Sequence, residues 1–317
     1  MRAVTIVDGA LEWREHPDPS PGHGEVLVRV HAAGLNGADM LQRRGLYPAP
    51  PDAPADIPGM ELAGEVVALG PDAARFAVGE HVMAVVGGGG QAELAVVHER
   101  LAVPVPEGLP WNEAGGFPEV FTTAHDALFG QCALTFGERV LIHGAAGGVG
   151  IAGVQLAGRA GARVVATVRA EELRPGVAEI GGAAGVVEVC APDAFADRGP
   201  FDVILELVGA PNLPDDLAVL ATGGRIAVIG VGAGARAEVD LLRLMATRGR
   251  IHGSTLRARP LEGKAVAARG IERSVLPLLA TGEVRVPIAA EYPMSEAEAA
   301  YERFTAGAKL GKVVLIA

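Results

Sequence analysis

The sequence predicts an α/β protein in two parts: a β-rich antiparallel barrel, and a doubly wound parallel sheet with helices on both faces. Three observations carry this. Residues 1 to about 120 hold short apolar runs that alternate with the period of a strand. Residues 121–257 alternate strand-like with helix-like runs, the pattern of repeated βα units. Within that block, VLIHGAAGGVGIAGVQLAG (140–158) passes from β-branched residues through clustered glycines straight into helical spacing. At 317 residues the chain is long for one core, which makes two domains the expectation.

In the first part, EVLVRVHAAG (25–34) sets Val26, Val28 and Val30 against Leu27, Arg29 and His31. GMELAGEVVALG (59–70), GEHVMAVVG (79–87) and QAELAVVHERLAV (91–103) read as further strands, punctuated by Gly and Pro. NGADMLQRRG (36–45) reads as one short helix. In the middle part the strands are RVLIHG (139–144), ARVVATV (162–168), FDVILELVG (201–209), GRIAVIGVG (224–232) and GRIHGSTL (249–256). Between the first two, Val149, Ala152, Gly153, Leu156, Ala157 and Ala160 fall at helical spacing. The tail, 258–317, offers a helix over 261–282, another over 295–307 and a last strand, KVVLIA.

Composition excludes several classes. A net charge of −11 gives no general attraction for nucleic acid or an anionic membrane. Cys132 and Cys190 stand alone, without the spacing of a zinc cluster or a disulfide framework. No apolar run approaches ~18 residues, and the opening MRAVTIVDGALEW lacks an apolar core of signal length, so a cytoplasmic protein is expected.

The glycine cluster is where chemistry enters. Aligned on the end of the strand, the three fingerprint positions are Ala145, Gly147 and Gly150; the literal G-x-G-x-x-G at Gly148, Gly150 and Gly153 starts a turn too late. Gly147 lets the backbone approach a pyrophosphate, Gly150 lets the helix sit on the strand, and the helix N-terminus faces the anion. A dinucleotide is the expected ligand. NAD-binding units place an acid at the end of the second strand, but here the strand reaches Thr167, Val168 and Arg169 before Glu171 and Glu172. Arg169, with Arg174 a few residues on, is suited to a 2′-phosphate, so NADPH is expected.

The spelling A-A-G-G-V-G-x-x-x-x-Q (145–155) resembles the zinc-independent, zeta-crystallin-like quinone oxidoreductases of the medium-chain dehydrogenase/reductase superfamily. AAGLNGADMLQRRGLYPAPP (32–51), PGMELAGEVVALG (58–70), FPEVFTTAHDAL (117–128), GSTLRARP (253–260) and GKVVLIA (311–317) follow in the family's order. The resemblance implies a GroES-like barrel built from 1–120 and 258–317, with a Rossmann domain, 121–257, inserted. It implies a nucleotide in the cleft between the two domains and a homodimer joined along 249–256. Tyr47 and Asn36 become the candidate catalytic lining. For Tyr47 the competing reading is a turn residue beside Pro48 and Pro50, and for Asn36 it is a cap on the following helix. Cofactor contacts are implied at Thr123, Ala146, Gly147, Gly148, Val149, Val208, Gly230, Val231, Ser254 and Leu256. Arg257 and Arg259 read equally well as site residues and as surface or interdomain charges.

Zinc-dependent members of the superfamily carry Cys and a His-Glu pair where this chain has Asn36 and Met60-Glu61, and the four-cysteine lobe is absent. An amide and a thioether do not replace thiolate and imidazole on Zn²⁺. The remaining site suits acceptors that are already electrophilic. Three readings stay open: NADPH-dependent reduction of quinones; reduction of conjugated enals, enones or enoyl thioesters by the same hydride; and a non-catalytic NADPH-binding structural or regulatory protein.

Overall fold

The computed structural model describes residues 1–317 and divides them into two compact units. One comprises 1–122, 256–307 and 312–317; the other comprises 123–255 and 308–311.

The first unit opens with a hairpin of β1 (Arg2–Val7) and β2 (Ala10–Glu15). Its two turn residues, Asp8 and Gly9, both take positive φ, 48° and 83°, the conformation that an Asp-Gly pair supplies to a two-residue hairpin. Next come β3 (Glu25–Gly34), α1 (Gly37–Arg43), β4 (Glu61–Leu69), β5 (His81–Val85), β6 (Leu94–His98) and β7 (Ala102–Pro104). Two short helices, α2 (Trp111–Gly116) and α3 (Pro118–His125), lead out of this stretch. The alternation in β3 is realised as burial, with Val26, Val28 and Val30 in the core.

The second unit is β8 (Arg139–Ile142), α4 (Gly148–Arg159), β9 (Arg163–Thr167), α5 (Arg174–Ala184), β10 (Val186–Cys190), β11 (Phe201–Glu206), α6 (Leu213–Ala218), β12 (Leu220–Val228), α7 (Leu241–Thr247) and β13 (Arg250–Gly253). Its six strands are all parallel, in the order β10-β9-β8-β11-β12-β13. The order reverses beside β8, and in such sheets ligands bind at the carboxyl ends of the strands on either side of that point. The sequence reading did not include β10. It is a five-residue edge strand, VVEVC, with Val186 73% exposed, and Glu188 interrupts its short apolar run.

The tail supplies α8 (Leu261–Ser274), α9 (Leu276–Ala280), β14 (Ile288–Pro293), α10 (Ala297–Thr305) and β15 (Lys312–Ile316). The single helix expected over 261–282 is two helices that meet at Val275, two residues before Pro277, whose ring is not accommodated inside a continuous helix. β15 pairs antiparallel with β3 and parallel with β14, so the last strand completes the first unit's seven-stranded sheet. Residues 308–311 cluster instead with the second unit: the Gly311 N–H donates to Ala146 O at 2.9 Å, beside Gly147. No helix is long and apolar enough to cross a membrane.

Candidate nucleotide site and two buried polar clusters

The glycine turn is shaped by its neighbours. His143 N–H donates to Leu205 O and Ala145 N–H to Thr167 O, both at 3.0 Å, which ties the end of β8 to the ends of β11 and β9. Gly147 is the extended N-cap of α4, and no side chain caps that helix, so its first-turn N–H groups are left for an anion. A Cβ on Gly150 would lie 2.5 Å from Gly144 O and 2.6 Å from Ala145 Cα, and one on Gly230 would lie 2.2 Å from Leu207 O. Only glycine fits at either position. On Gly147 a Cβ would meet nothing closer than Gly144 O at 3.5 Å, which leaves space above the turn. Ala146, Gly147, Gly148 and Val149 are half-exposed around that space. These residues fit a pyrophosphate.

Of the other predicted contacts, those that follow β11, β12 and β13 lie at the same end of the sheet. Val208 follows β11, Gly230 and Val231 follow β12, and Ser254 follows β13, its hydroxyl bonded to Asp126 Oδ2 at 3.3 Å. Thr123 is buried in α3. Arg169 is exposed just beyond β9, and Arg174 Nε donates to Val168 O at 3.1 Å. Glu171 and Glu172 lie exposed in the intervening turn.

Leu256, expected near the nicotinamide, is not part of the second unit, whose run ends at Thr255. Leu256 is buried in the first unit, in the wall of an apolar cavity with Met83, Val103, Thr122 and Ile271. Arg257 is not a surface charge either: it is 2% exposed. Its guanidinium donates to Gly87 O (2.7 Å), Tyr47 O (3.0 Å) and Gln42 Oε1 (2.6 Å), and it lies 5.1 Å from the Tyr47 ring centre. Arg257 therefore fixes the loop that carries half-buried Tyr47. These partners are 170 to 215 residues away in sequence, too far for any local signal.

Asn36 lies in the first of two buried polar clusters. Its Nδ2 donates to Glu61 Oε1 (2.8 Å) and Gly34 O (3.4 Å), and its Oδ1 accepts from Lys312 Nζ (2.8 Å). Every polar atom of the amide is committed, so the reading of Asn36 as a donor to an outside acceptor gives way to a positioning role. Lys312 spends its other two N–H groups on Leu35 O (2.7 Å) and Glu61 Oε1 (2.6 Å), and Glu61 Oε2 accepts the Glu119 N–H. Gly34 makes room, since a Cβ there would fall 2.3 Å from Glu61 Oε1. One turn on, Asp39 accepts the backbone N–H groups of Asn36 and Gly59. Burial pushes its carboxyl up to about 6, against those two hydrogen bonds and the charge of Lys312.

The second cluster lies under the strand ends of the second unit. His143, Glu206 and Asp216 are all at most 1% exposed, and each presents an atom within 4.8 Å of the others. His143 Nε2 meets Asp216 Oδ1 at 2.8 Å and Nδ1 meets Thr167 Oγ1 at 3.1 Å. Glu206 accepts the N–H groups of Val208 and Gly209 on one oxygen and Asn212 Nδ2 on the other. The turn after β11 is thus held from below by a carboxylate.

Two family models match the chain: the alcohol dehydrogenase GroES-like domain over residues 22–107, and a zinc-binding dehydrogenase model over 182–315. The quinone oxidoreductase of Rattus norvegicus is 32% identical over 94% of this chain and 91% of its own length. The chain belongs to the quinone oxidoreductase family of the medium-chain dehydrogenase/reductase superfamily. It is an NAD(P)H-dependent oxidoreductase. Among solved structures, an alcohol dehydrogenase superfamily protein from Novosphingobium aromaticivorans is similar with a TM-score of 0.86 at 27% identity, covering 100% of this chain and 99% of the other. A mycobacterial protein solved with NADPH has a TM-score of 0.85 at 28% identity, with 100% of both chains covered. One matching model is described by zinc, yet the residues here do not fit that metal. Met60 is buried, Asn36 is used up, and Glu61 is already paired with an ammonium group.

Proposed function

We propose that this protein transfers hydride from NADPH to quinones without a catalytic metal. The observation that carries the nucleotide choice is the end of β9, where Arg169 is exposed, Arg174 is tethered to Val168, and no carboxylate precedes them. A 2′-phosphate placed there gains a charge-assisted hydrogen bond. The NADPH bound to the mycobacterial neighbour and the quinone in the name of the rat relative support the same reading. When bound, the nicotinamide supplies the hydride. The chain's own part is to hold the pyrophosphate on 146–149, to orient the ribose through Thr123 and the strand-end residues Val208, Gly230, Val231 and Ser254, and to face the acceptor with a donor. Tyr47, held by Arg257, is the proposed donor to the oxygen on which charge develops. NADPH oxidation against 1,4-benzoquinone, 9,10-phenanthrenequinone, an enone and a crotonyl thioester tests this. Turnover with the quinones is expected; turnover confined to the conjugated alkenes, or with no acceptor at all, would reject it.

We also propose a homodimer joined at β13. That strand is an open sheet edge, and around it Leu241, Leu242, Met245 and Ile251 expose 36 to 75% of their surface. Pairing two such edges across a two-fold axis removes both the unpaired backbone and the apolar patch. Light scattering at micromolar concentration should return twice the chain mass, and a single-chain mass would refute the arrangement.

A further inference from the structure

The second polar cluster holds two carboxylates and one imidazole with almost no access to water. No lysine or arginine reaches it. The groups facing Asp216 are His143 at the end of β8 and Glu206 at the end of β11, with uncharged Thr167 at the end of β9 behind the imidazole. Arg243, the nearby cation on α7, donates to the carbonyls of Leu217 and Ala218 instead. Asp216 Oδ2 is buried and has no hydrogen-bond partner, a costly state for an ionised oxygen. Glu206, by contrast, already has a donor on each oxygen. One added proton resolves both difficulties: placed on Asp216 Oδ2 it donates to Glu206 and halves the negative charge of the pair.

We propose that Asp216 and Glu206 share one proton in the folded protein, and that this proton holds the 206–209 turn in its nucleotide-binding form. The inference rests on the reading above that Val208 belongs to the nucleotide site. Burial, ahead of the opposing effect of His143, pushes the Asp216 carboxyl up to about 6. The shared proton is therefore taken up as pH falls through that value, and the turn is better held on the acid side. Asp216 and Glu206 act here through backbone amides as positioning residues.

The test has two arms. Infrared spectra of the full chain should show protonated carboxyl absorption that grows as pH falls through about 6; the part due to Asp39 should persist in Asp216→Asn, and the wild type minus Asp216→Asn difference should leave a band of its own, because the amide substitutes a permanent donor for the proton. In the second arm, binding of NADP⁺ is measured from pH 5.5 to 8. The wild type should lose about three- to tenfold in affinity relative to Asp216→Asn as pH rises, a factor of ten being one unit of difference in the proton affinity of the pair. The nucleotide's own 2′-phosphate titration is common to both proteins and cancels. Asp216→Ser, which removes the titrating carboxyl and leaves the three N–H bonds to Glu206 in place, should flatten the profile likewise and guards against a single variant that fails to fold. Parallel profiles for wild type and variants, no difference band, or a stoichiometric divalent cation in the purified protein would each overturn the proposal. Failure of the wild type to bind any nucleotide would fall on the proposed function, and the infrared band would still decide the shared proton.

Discussion

Both units bury two carboxylates, but they neutralise them differently. Around Glu61 and Asp39 the compensating charge is Lys312, a permanent cation whose three N–H groups are all used. Around Glu206 and Asp216 there is no permanent cation, only His143 and whatever protons the cluster takes up. The lesson is that the two clusters respond to different perturbations. The first depends on one cationic side chain, whose removal strips Glu61 of its counter-charge at any pH; the second has no such side chain and depends on the protons that it takes up.

The largest expected effect breaks the first cluster. Lys312→Met leaves Glu61 buried without its counter-charge, and loss of one partner of a buried pair costs ~3–5 kcal/mol. Thermal melting should show a fall in Tm that persists from pH 6 to 8. Glu61→Gln in the Lys312→Met background should recover part of it, and an unchanged Tm for Lys312→Met would remove the ion pair from the account.

The same Asp-to-Asn change should have opposite signs in the two clusters. Asp216 has a folded-state pKa of about 6 against an ordinary 3.8. A raised pKa means that its contribution to stability is complete below the ordinary value and is lost as pH rises through about 6. Asp216→Asn, which does not ionise, should therefore gain on the wild type above pH 6, by ~1–3 kcal/mol at pH 8, and lose that advantage in acid. Asp39 is also pushed up to about 6, but both its oxygens accept backbone N–H groups. Asn at position 39 turns one acceptor into a donor that faces a donor, for a net loss of ~1–2 kcal/mol at pH 7. Denaturant melts of the two variants at pH 4 and 8 check the contrast. Two variants that both lose stability at pH 8 would show that Asp216 is ionised without penalty.

The smallest effect concerns Tyr47. A donor to a developing oxyanion is worth ~2.7–4 kcal/mol in a closed site, and half-buried Tyr47 should give less, about 1 kcal/mol, or roughly fivefold in kcat. Tyr47→Phe should lower kcat with little change in NADPH affinity, whereas unchanged kcat with every acceptor would leave Tyr47 as a loop residue held by Arg257.

Local pattern explains what was readable in the sequence. The strand alternation of β3, the βα repeats and the glycine turn depend on neighbours within a few residues, and each takes its expected place. What escaped is set by distant partners. The bond between Asn36 and Lys312 spans 276 residues, the unit boundary before Leu256 leaves no mark in the sequence, and His143 and Asp216 meet across 73 residues. β10 and β14 are less legible for another reason: both are short edge strands, and in each a glutamate, Glu188 or Glu291, interrupts the apolar residues.

The proposed chemistry turns on the end of β9, and one measurement addresses it directly: kcat/KM for NADPH and for NADH with 9,10-phenanthrenequinone as acceptor, in the native protein and in Arg169→Ala. A charge-assisted hydrogen bond of ~1.5–3 kcal/mol predicts a ten- to hundredfold preference for NADPH that Arg169→Ala largely removes while NADH turnover is kept. Equal values for the two nucleotides in the native protein would contradict the account.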